Sequence, residues 1–173
     1  DDEAAGYVLT RFLLAQGHRL VACIDGLREH LSASLRYAGF RRALEGAGLD
    51  PDAARTARGN LTFLGGQEQL EGLLDGRPTA VVCANDDMAA GALYRAHQLG
   101  LSVPRDLSVA GFDDAPFTQM IWPPLTTISQ PVFAMAQRAV DIVLHVISDP
   151  HARADYELVP HRIVKRDSVA APV

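Results

Sequence analysis

The sequence is poor in lysine and in long apolar runs, and each shortage argues against a class of protein. Lys165 is the only lysine, and the formal net charge of the 173 residues is −5 at pH 7. Proteins that bind nucleic acid neutralise phosphates with clustered lysines and arginines, whereas the arginines here are scattered. No apolar run approaches the roughly 20 residues that span a bilayer. We therefore expect neither a DNA-binding surface nor a membrane segment in this chain.

Cysteine is also scarce. Cys23 in LVACID and Cys83 in TAVVCAND lie within apolar runs that are typical of buried strands, so we expect two reduced core thiols and a cytoplasmic location. The sequence does not begin with the basic residues and apolar stretch that are typical of a secretory leader. Because the chain begins with Asp1 and not with methionine, we expect a fragment whose N-terminal part is missing.

Motifs of catalysis are missing as well. The sequence contains no GxGxxG, GxxxxGK[ST], HExxH or GxSxG pattern. Strand-end carboxylates could hold Mg²⁺, but neither a nucleophile motif nor a phosphate cradle accompanies them. We therefore predict no enzyme activity, no cofactor and no metal site. The histidines do not have the spacing of metal ligands; they are His18, His30, His97, His145, His151 and His161.

Apolar residues are plentiful, and their spacing alternates between helical and strand-like periods. This alternation, with continuously apolar strands, predicts an α/β fold with a largely parallel sheet flanked by helices on both faces. The predicted helices cover 3–16, 34–48, 66–75, 86–99 and 131–148, and residues 50–60 are a predicted loop. The predicted strands cover 19–25, 61–64, 79–85, 107–113, 125–129 and 156–165.

Polar clusters follow three of the predicted strands, where ligands bind in open α/β sheets. Asn85-Asp86-Asp87 and Asp113-Asp114 end two strands, and the loop after the first strand leads to Arg36. Such donors and acceptors suit a small ligand rich in hydroxyl groups. Other roles stay open, since an aspartate after Asn85 could cap a helix, Asp114 could cap a turn, and Arg36 could be a surface residue paired with Glu29.

Long stretches of the chain resemble LacI/GalR-type bacterial transcription regulators. The similar segments are GHRLVACIDG, SLRYAGFRRALEGAGL, PTAVVCANDDMAAGALYRAHQLGLSVPRDLSVAGFDDAPF, PPLTTISQPVFAMAQRAV and ELVPHRIVKRDS. The resemblance implies the C-terminal, effector-binding portion of such a regulator, with a periplasmic-binding-protein-like fold. It further implies that operator DNA is bound only through an absent N-terminal helix-turn-helix head.

The resemblance also implies how the chain is divided between two lobes that close on a small effector. Residues 1–128 and 160–173 would build the C-terminal lobe, and residues 131–156 would return to an N-terminal lobe that is otherwise absent.

Site residues follow from the same resemblance. Arg36, Asn85 and Asp113 match the effector contacts of this lobe, and Ser32 and His30 fall at positions that often line the pocket. Leu61 stands where relatives commonly stack an aromatic ring on the effector, with Phe63 two places on. The expected effector is a sugar or a similar polyol, with a nucleobase as the alternative.

Self-association is a further implication, because members of this family pair as homodimers. The expected interface involves Met88, Ala92, Phe117, Ile121 and Trp122. Two other functions stay open at this point: a periplasmic-type solute-binding protein of a transport system, and an α/β enzyme, which would need a motif that the sequence lacks.

Overall fold

A six-stranded sheet runs through the molecule, whose computed structural model describes residues 1–149, 153 and 156–173. The strands are β1 (Val21–Asp25), β2 (Thr56–Arg58), β3 (Ala80–Cys83), β4 (Ser108–Asp113), β5 (Thr126–Ser129) and β6 (Arg162–Val164). Their order across the sheet is β2-β1-β3-β4-β5-β6. Neighbouring strands are parallel except for β5 and β6, which are antiparallel. The predicted α/β fold with a largely parallel sheet is confirmed.

Helices cover both faces of this sheet. They are α1 (Asp2–Ala15), α2 (Leu31–Glu45), α3 (Phe63–Leu74), α4 (Asp86–Gln98) and α5 (Val132–Ser148), with a short 3-10 helix at Pro116–Gln119. The buried apolar residues of α1 and α2, apart from Ala33, pack in one core cluster, and those of α3 and α4 pack in another together with Ala33. Glycines bring α1 and α2 close together, since a Cβ at Gly6 would collide with the backbone of Arg36 and one at Gly39 with that of Glu3.

Alternating strand residues divide the core between the two faces. In β1, Val21 and Cys23 belong to the cluster of α1 and α2, whereas Ala22 and Ile24 belong to the cluster of α3 and α4. Full burial of a large apolar side chain contributes roughly 1.5–3 kcal/mol. Cys23 and Cys83 are buried and unbridged, as predicted, and burial raises the pKa of both thiols.

The predicted strand at 61–64 is wrong, and so is the uninterrupted loop at 50–60. The strand of this region is β2, within the predicted loop, and α3 already begins at Phe63. Leu61 has a φ of 64°, which is incompatible with a strand. Thr62 donates its N–H to Asn60 Oδ1 (3.2 Å) and accepts from Gly65 N (3.1 Å), so this segment forms a turn and a helix cap.

Two other predicted elements have different bounds. Helix α2 begins at Leu31, ahead of Ser34, and buries Ala33 in the core within its first turn. The last strand contains only Arg162–Val164 of the predicted 156–165. Its partner β5 is only four residues long, so a longer β6 would have no strand to pair with.

Helix α5 matches the prediction for 131–148 to within one residue, yet none of its residues is buried. Its exposed large apolar side chains are Val132, Phe133, Met135, Val140, Val143, Leu144, Val146 and Ile147. In the part of the chain that the structure describes, no helix is both long enough and apolar enough to cross a membrane.

Candidate functional site

Arg36 lies at the centre of the carboxyl edge of the sheet, with most of its side chain buried. Its Nε donates to Asp2 Oδ1 at 2.8 Å, and its Nη1 donates to the backbone oxygen of Ala84 at 2.7 Å. The guanidinium carbon lies 3.6 Å from the centre of the Phe112 ring. Packing and hydrogen bonds therefore hold the guanidinium in place, and the alternative of a surface pair with Glu29 is wrong.

Asp113 ends β4 beside this arginine. Its Oδ1 lies 3.6 Å from Arg36 Nη1 and accepts a hydrogen bond from Gln130 Nε2 at 2.6 Å. Burial raises the pKa of Asp113, while Arg36 and the hydrogen bond from Gln130 act to lower it. The side chain is still 38% exposed, so the carboxylate can reach a ligand at this edge.

Asn85 follows β3, and its side chain makes hydrogen bonds to backbone groups of the same chain. Its Oδ1 accepts from the backbone N–H of Met88 at 3.1 Å, and its Nδ2 donates to the backbone oxygen of Leu61 at 2.9 Å. The first bond makes Asn85 the N-cap of α4, so the alternative in which Asp86 or Asp87 caps this helix is wrong. One amide hydrogen and one lone pair remain for any further partner.

Asp86 points into the protein. The residue is 1% exposed, and its carboxylate accepts from Thr127 Oγ1 at 2.6 Å and from the backbone N–H of Ala115 at 2.8 Å. Burial raises the pKa of this carboxyl to about 6 from its ordinary value of 3.8, although both hydrogen bonds lower it. Asp86 ties β5 and the loop after β4 to the start of α4.

Asp114 is also bound internally. Its Oδ1 accepts from Arg166 Nη2 at 2.5 Å, and Arg166 Nη1 donates to Thr118 Oγ1 and to the backbone oxygen of Leu125. Both side chains of the ion pair are largely buried. Of the two adjacent carboxylates after β4, only Asp113 faces the edge with Arg36.

The remaining predicted pocket residues lie on the loops beside this edge. His30 and Ser32 are at the start of α2, where His30 is exposed and makes no side-chain cap. Leu61 is half-buried and packs over Gly26 and against the core of α3 and α4, and it stays a predicted pocket residue. Phe63 is 38% exposed, and its ring lies 5.6 Å from that of Tyr94 on α4.

Three polar residues at this edge were absent from the predicted site: Asp2, Asp25 and Gln130. Asp2 and Gln130 orient Arg36 and Asp113, as described above. Asp25 ends β1, burial raises its pKa, and it accepts from the backbone N–H of Gly26 at 2.7 Å. Asp25 could have been predicted, because it is a carboxylate at the end of an apolar strand. The sequence around Asp2 and Gln130 contains no comparable pattern.

Two open clefts adjoin the site. One, of about 340 Å³, lies between the start of α1 and helix α5 and includes Asp2, Phe112 and Gln130 in its lining. The other, of about 670 Å³, is lined by Asp113, Gln130 and Arg162 among others. Among the described residues, no group of three or more histidines, cysteines and carboxylates could hold a metal ion.

Two residues of the predicted dimer surface are misplaced. Met88 and Ala92 are both 0% exposed, because this face of α4 packs on the sheet within the same chain. Ile121 packs against the same core, and Phe117 is half-buried. Trp122 is 79% exposed and its neighbour Met120 is 82% exposed, so this segment keeps an apolar surface.

Comparison with known proteins identifies the class of this fold. Residues 10–169 match the family of periplasmic binding protein-like domains. Among solved structures, a LacI family regulator from Enterococcus faecium with bound ribose superposes with a TM-score of 0.94 at 30% identity, covering 99% of this chain and 64% of that one. A dimeric Lac repressor superposes with a TM-score of 0.92 at 34% identity, covering 100% and 63%.

Curated relatives specify the family further. The repressor CytR of Escherichia coli strain K12 is 37% identical over 173 residues, which are 99% of this chain and 51% of that protein. The repressor PurR of Vibrio vulnificus is 36% identical, with 98% and 51% covered. This chain belongs to the periplasmic binding protein-like domain family, in the form found in LacI-type regulators, which confirms the predicted family. It spans about half the length of the curated relatives it matches.

Proposed function

We propose that this chain is the effector-binding core of a LacI-type transcription regulator in the cytoplasm, and that its effector is a sugar or a related polyol. The observation that carries the proposal is the pairing of Arg36 with Asp113 at the carboxyl edge of a parallel sheet, where ligands bind in such folds. The structural neighbours with bound ribose and with cellobiose favour a sugar.

The chemistry of these two groups fits a vicinal diol. A diol presents donors and acceptors at close spacing; a carboxylate accepts from its hydroxyl groups, and a guanidinium donates to its oxygens. Asp2 and Phe112 hold Arg36 in place, and Gln130 holds Asp113. These two side chains therefore lose little conformational entropy when a ligand binds. Asn85 would contribute only its free amide hydrogen and lone pair, with Ser32 and His30 at the rim.

The division between lobes is part of this proposal. Residues 1–128 and 160–173 would form one lobe, and 131–156 would cross to a second lobe that covers α5. An apolar helix with no buried residue supports this arrangement, since large apolar patches mark contact sites. Operator DNA would be bound by a head domain outside this acidic chain.

A homodimer is the proposed assembly, with Trp122 and Met120 as the exposed apolar contact in place of the buried Met88 and Ala92. Trp122→Asp should convert the dimer into monomers in light scattering, because it places a charge in a two-fold interface. Leu20→Asp, at another exposed apolar side chain that lies just ahead of β1, is the control. A dimeric mass for Trp122→Asp would exclude this interface.

Calorimetry on the intact regulator tests the site, with ribose, cellobiose and purine bases as ligands. Asp113→Ala should weaken binding of a sugar by about 10–100-fold, since hydrogen bonds to charged groups contribute roughly 1.5–3 kcal/mol. The exposed Asp75→Ala, at the opposite edge of the sheet, is the control and should bind as the wild type does. Equal affinities for both variants would show that Asp113 does not contact the ligand. If only purine bases bound, the effector would be a nucleobase and not a sugar.

A further inference from the structure

A cavity of about 170 Å³ lies at the amino edge of the sheet, opposite the effector site. Its lining includes Val21 at the start of β1, Arg55 just before β2 and Pro78 just before β3. The end of α2 and the following turn close it with Leu44 and Leu49. Because the strands are parallel, these residues share one edge, away from Arg36 and Asp113.

The interior of this cavity is apolar. Val21, Leu44 and Pro78 are buried, and Leu49 and Ala54 pack against the same core. An engineered apolar cavity of about 150 Å³ is large enough to bind benzene. The space at the amino edge therefore accommodates one six-membered ring or a short aliphatic chain.

Two arginines stand at the mouth of the cavity. Arg19 and Arg55 both line it, and neither makes an ion pair within the described part of the chain. The stem of Arg55 lies over Gly76, where an added Cβ would be 2.6 Å from Arg55 Cγ. Asp50 is the one carboxylate in the lining, and its Oδ1 already accepts from the backbone N–H of Asp52 at 2.9 Å. The mouth thus offers two arginines without an ion-pair partner, beside one carboxylate, above an apolar floor.

We propose that this cavity binds a small organic acid with an apolar body, about the size of benzoate. The body would occupy the space between Val21, Leu44 and Leu49, and the carboxylate would pair with Arg19 and Arg55. An arginine fork matches a carboxylate in shape and charge, and the apolar floor excludes water from the ring. This proposal does not depend on the identity of the effector at the opposite edge.

Methyl NMR of the intact protein with benzoate tests the proposal. The methyl signals of Val21, Leu44 and Leu49 should shift saturably, and neutral benzamide, which has the same shape, should bind at least 10-fold more weakly. The double variant Arg19→Gln/Arg55→Gln should weaken benzoate binding by 10-fold or more and leave benzamide unchanged. Arg77→Gln, an exposed arginine on the neighbouring turn that does not line the cavity, is the control and should keep wild-type affinity.

Three results would overturn the proposal: no saturable shift of these methyl groups, equal affinity for benzoate and benzamide, or unchanged benzoate binding in the double variant. Asp113→Ala separates this site from the effector site, since it should leave benzoate binding unchanged. A loss of benzoate binding in Asp113→Ala would place the acid at the carboxyl edge and contradict the cavity as its site.

Discussion

The ends of β3 and β4 carry similar polar pairs, Asn85-Asp86 and Asp113-Asp114, but the protein uses them differently. After β3, both side chains are bound inside the fold, one as the cap of α4 and the other by Thr127 and Ala115. At the end of β4, the second carboxylate is largely buried in its pair with Arg166, whereas the first, although it accepts from Gln130, remains partly exposed beside Arg36. A polar pair at a strand end therefore does not show by itself which of its members remains exposed.

Partners from distant parts of the chain decide between these roles. Asp86 is held by Thr127, 41 residues away, and Asp114 by Arg166, 52 residues away. Arg36 reaches Asp2 across 34 residues. A variant that removes one of these long-range bonds, or the cap at Asn85, therefore tests whether the two strand ends differ as described.

Arg166→Met should give the largest loss of stability. It leaves the largely buried carboxylate of Asp114 without its partner, and removing one partner of a buried ion pair costs about 3–5 kcal/mol. Urea denaturation would measure the change in the free energy of unfolding. Arg162→Met is the control, because Arg162 is exposed and should change stability by no more than about 0.5 kcal/mol. Similar losses in both variants would show that the Asp114 pair does not hold this loop.

Asp86 should make stability depend on pH between its ordinary pKa of 3.8 and its folded value of about 6. Because the folded state binds this proton more tightly, the contribution is fully present below pH 3.8 and is lost as pH rises through about 6. The difference is on the order of 3 kcal/mol. Unfolding curves of the wild type and of Asp86→Asn, which mimics the protonated acid, should diverge across this window. Parallel curves would contradict the raised pKa.

Asn85→Ala should give the smallest effect, a loss of about 1 kcal/mol in the free energy of unfolding, because it removes the cap of α4. Asn85→Ser keeps a capping oxygen and should stay closer to the wild type in the same denaturation experiment. If the alanine variant were as stable as the serine variant, the side chain of Asn85 would be free for the ligand and the two strand ends would be more alike than the structure indicates.

Sequence periodicity was a good guide to the elements that repeat a burial pattern. Helix α5 and the strands β1, β3 and β4 lie within two residues of their predicted bounds. It failed between Thr56 and Phe63, where the strand is a three-residue polar edge and Leu61 adopts a left-handed turn. An edge strand held by backbone bonds to a single neighbour has no apolar alternation to reveal it.

The same limit applies to the site. Arg36 and Asp113 could be predicted from their strand-end positions and from the family resemblance, and the structure brings them together. Asp2 and Gln130 could not, because they are ordinary polar residues until the fold places them beside those two groups. Met88 and Ala92 lie on the helix expected to carry the interface, but their burial follows from which face of α4 meets the sheet.

The sequence by itself determined the α/β class and the element order, since apolar periodicity is a local property, and its long similar segments indicated the family. Its strand-end residues also indicated the edge where Arg36 and Asp113 meet. Only the tertiary structure decided which polar groups are hydrogen-bonded within the fold and which remain exposed. His18 shows this as well: its ring nitrogens lie 2.8 Å from Thr79 Oγ1 and 2.9 Å from the backbone oxygen of Ala170, 152 residues away. A buried polar group needs a hydrogen-bonding partner, and packing alone determines which distant residue supplies it.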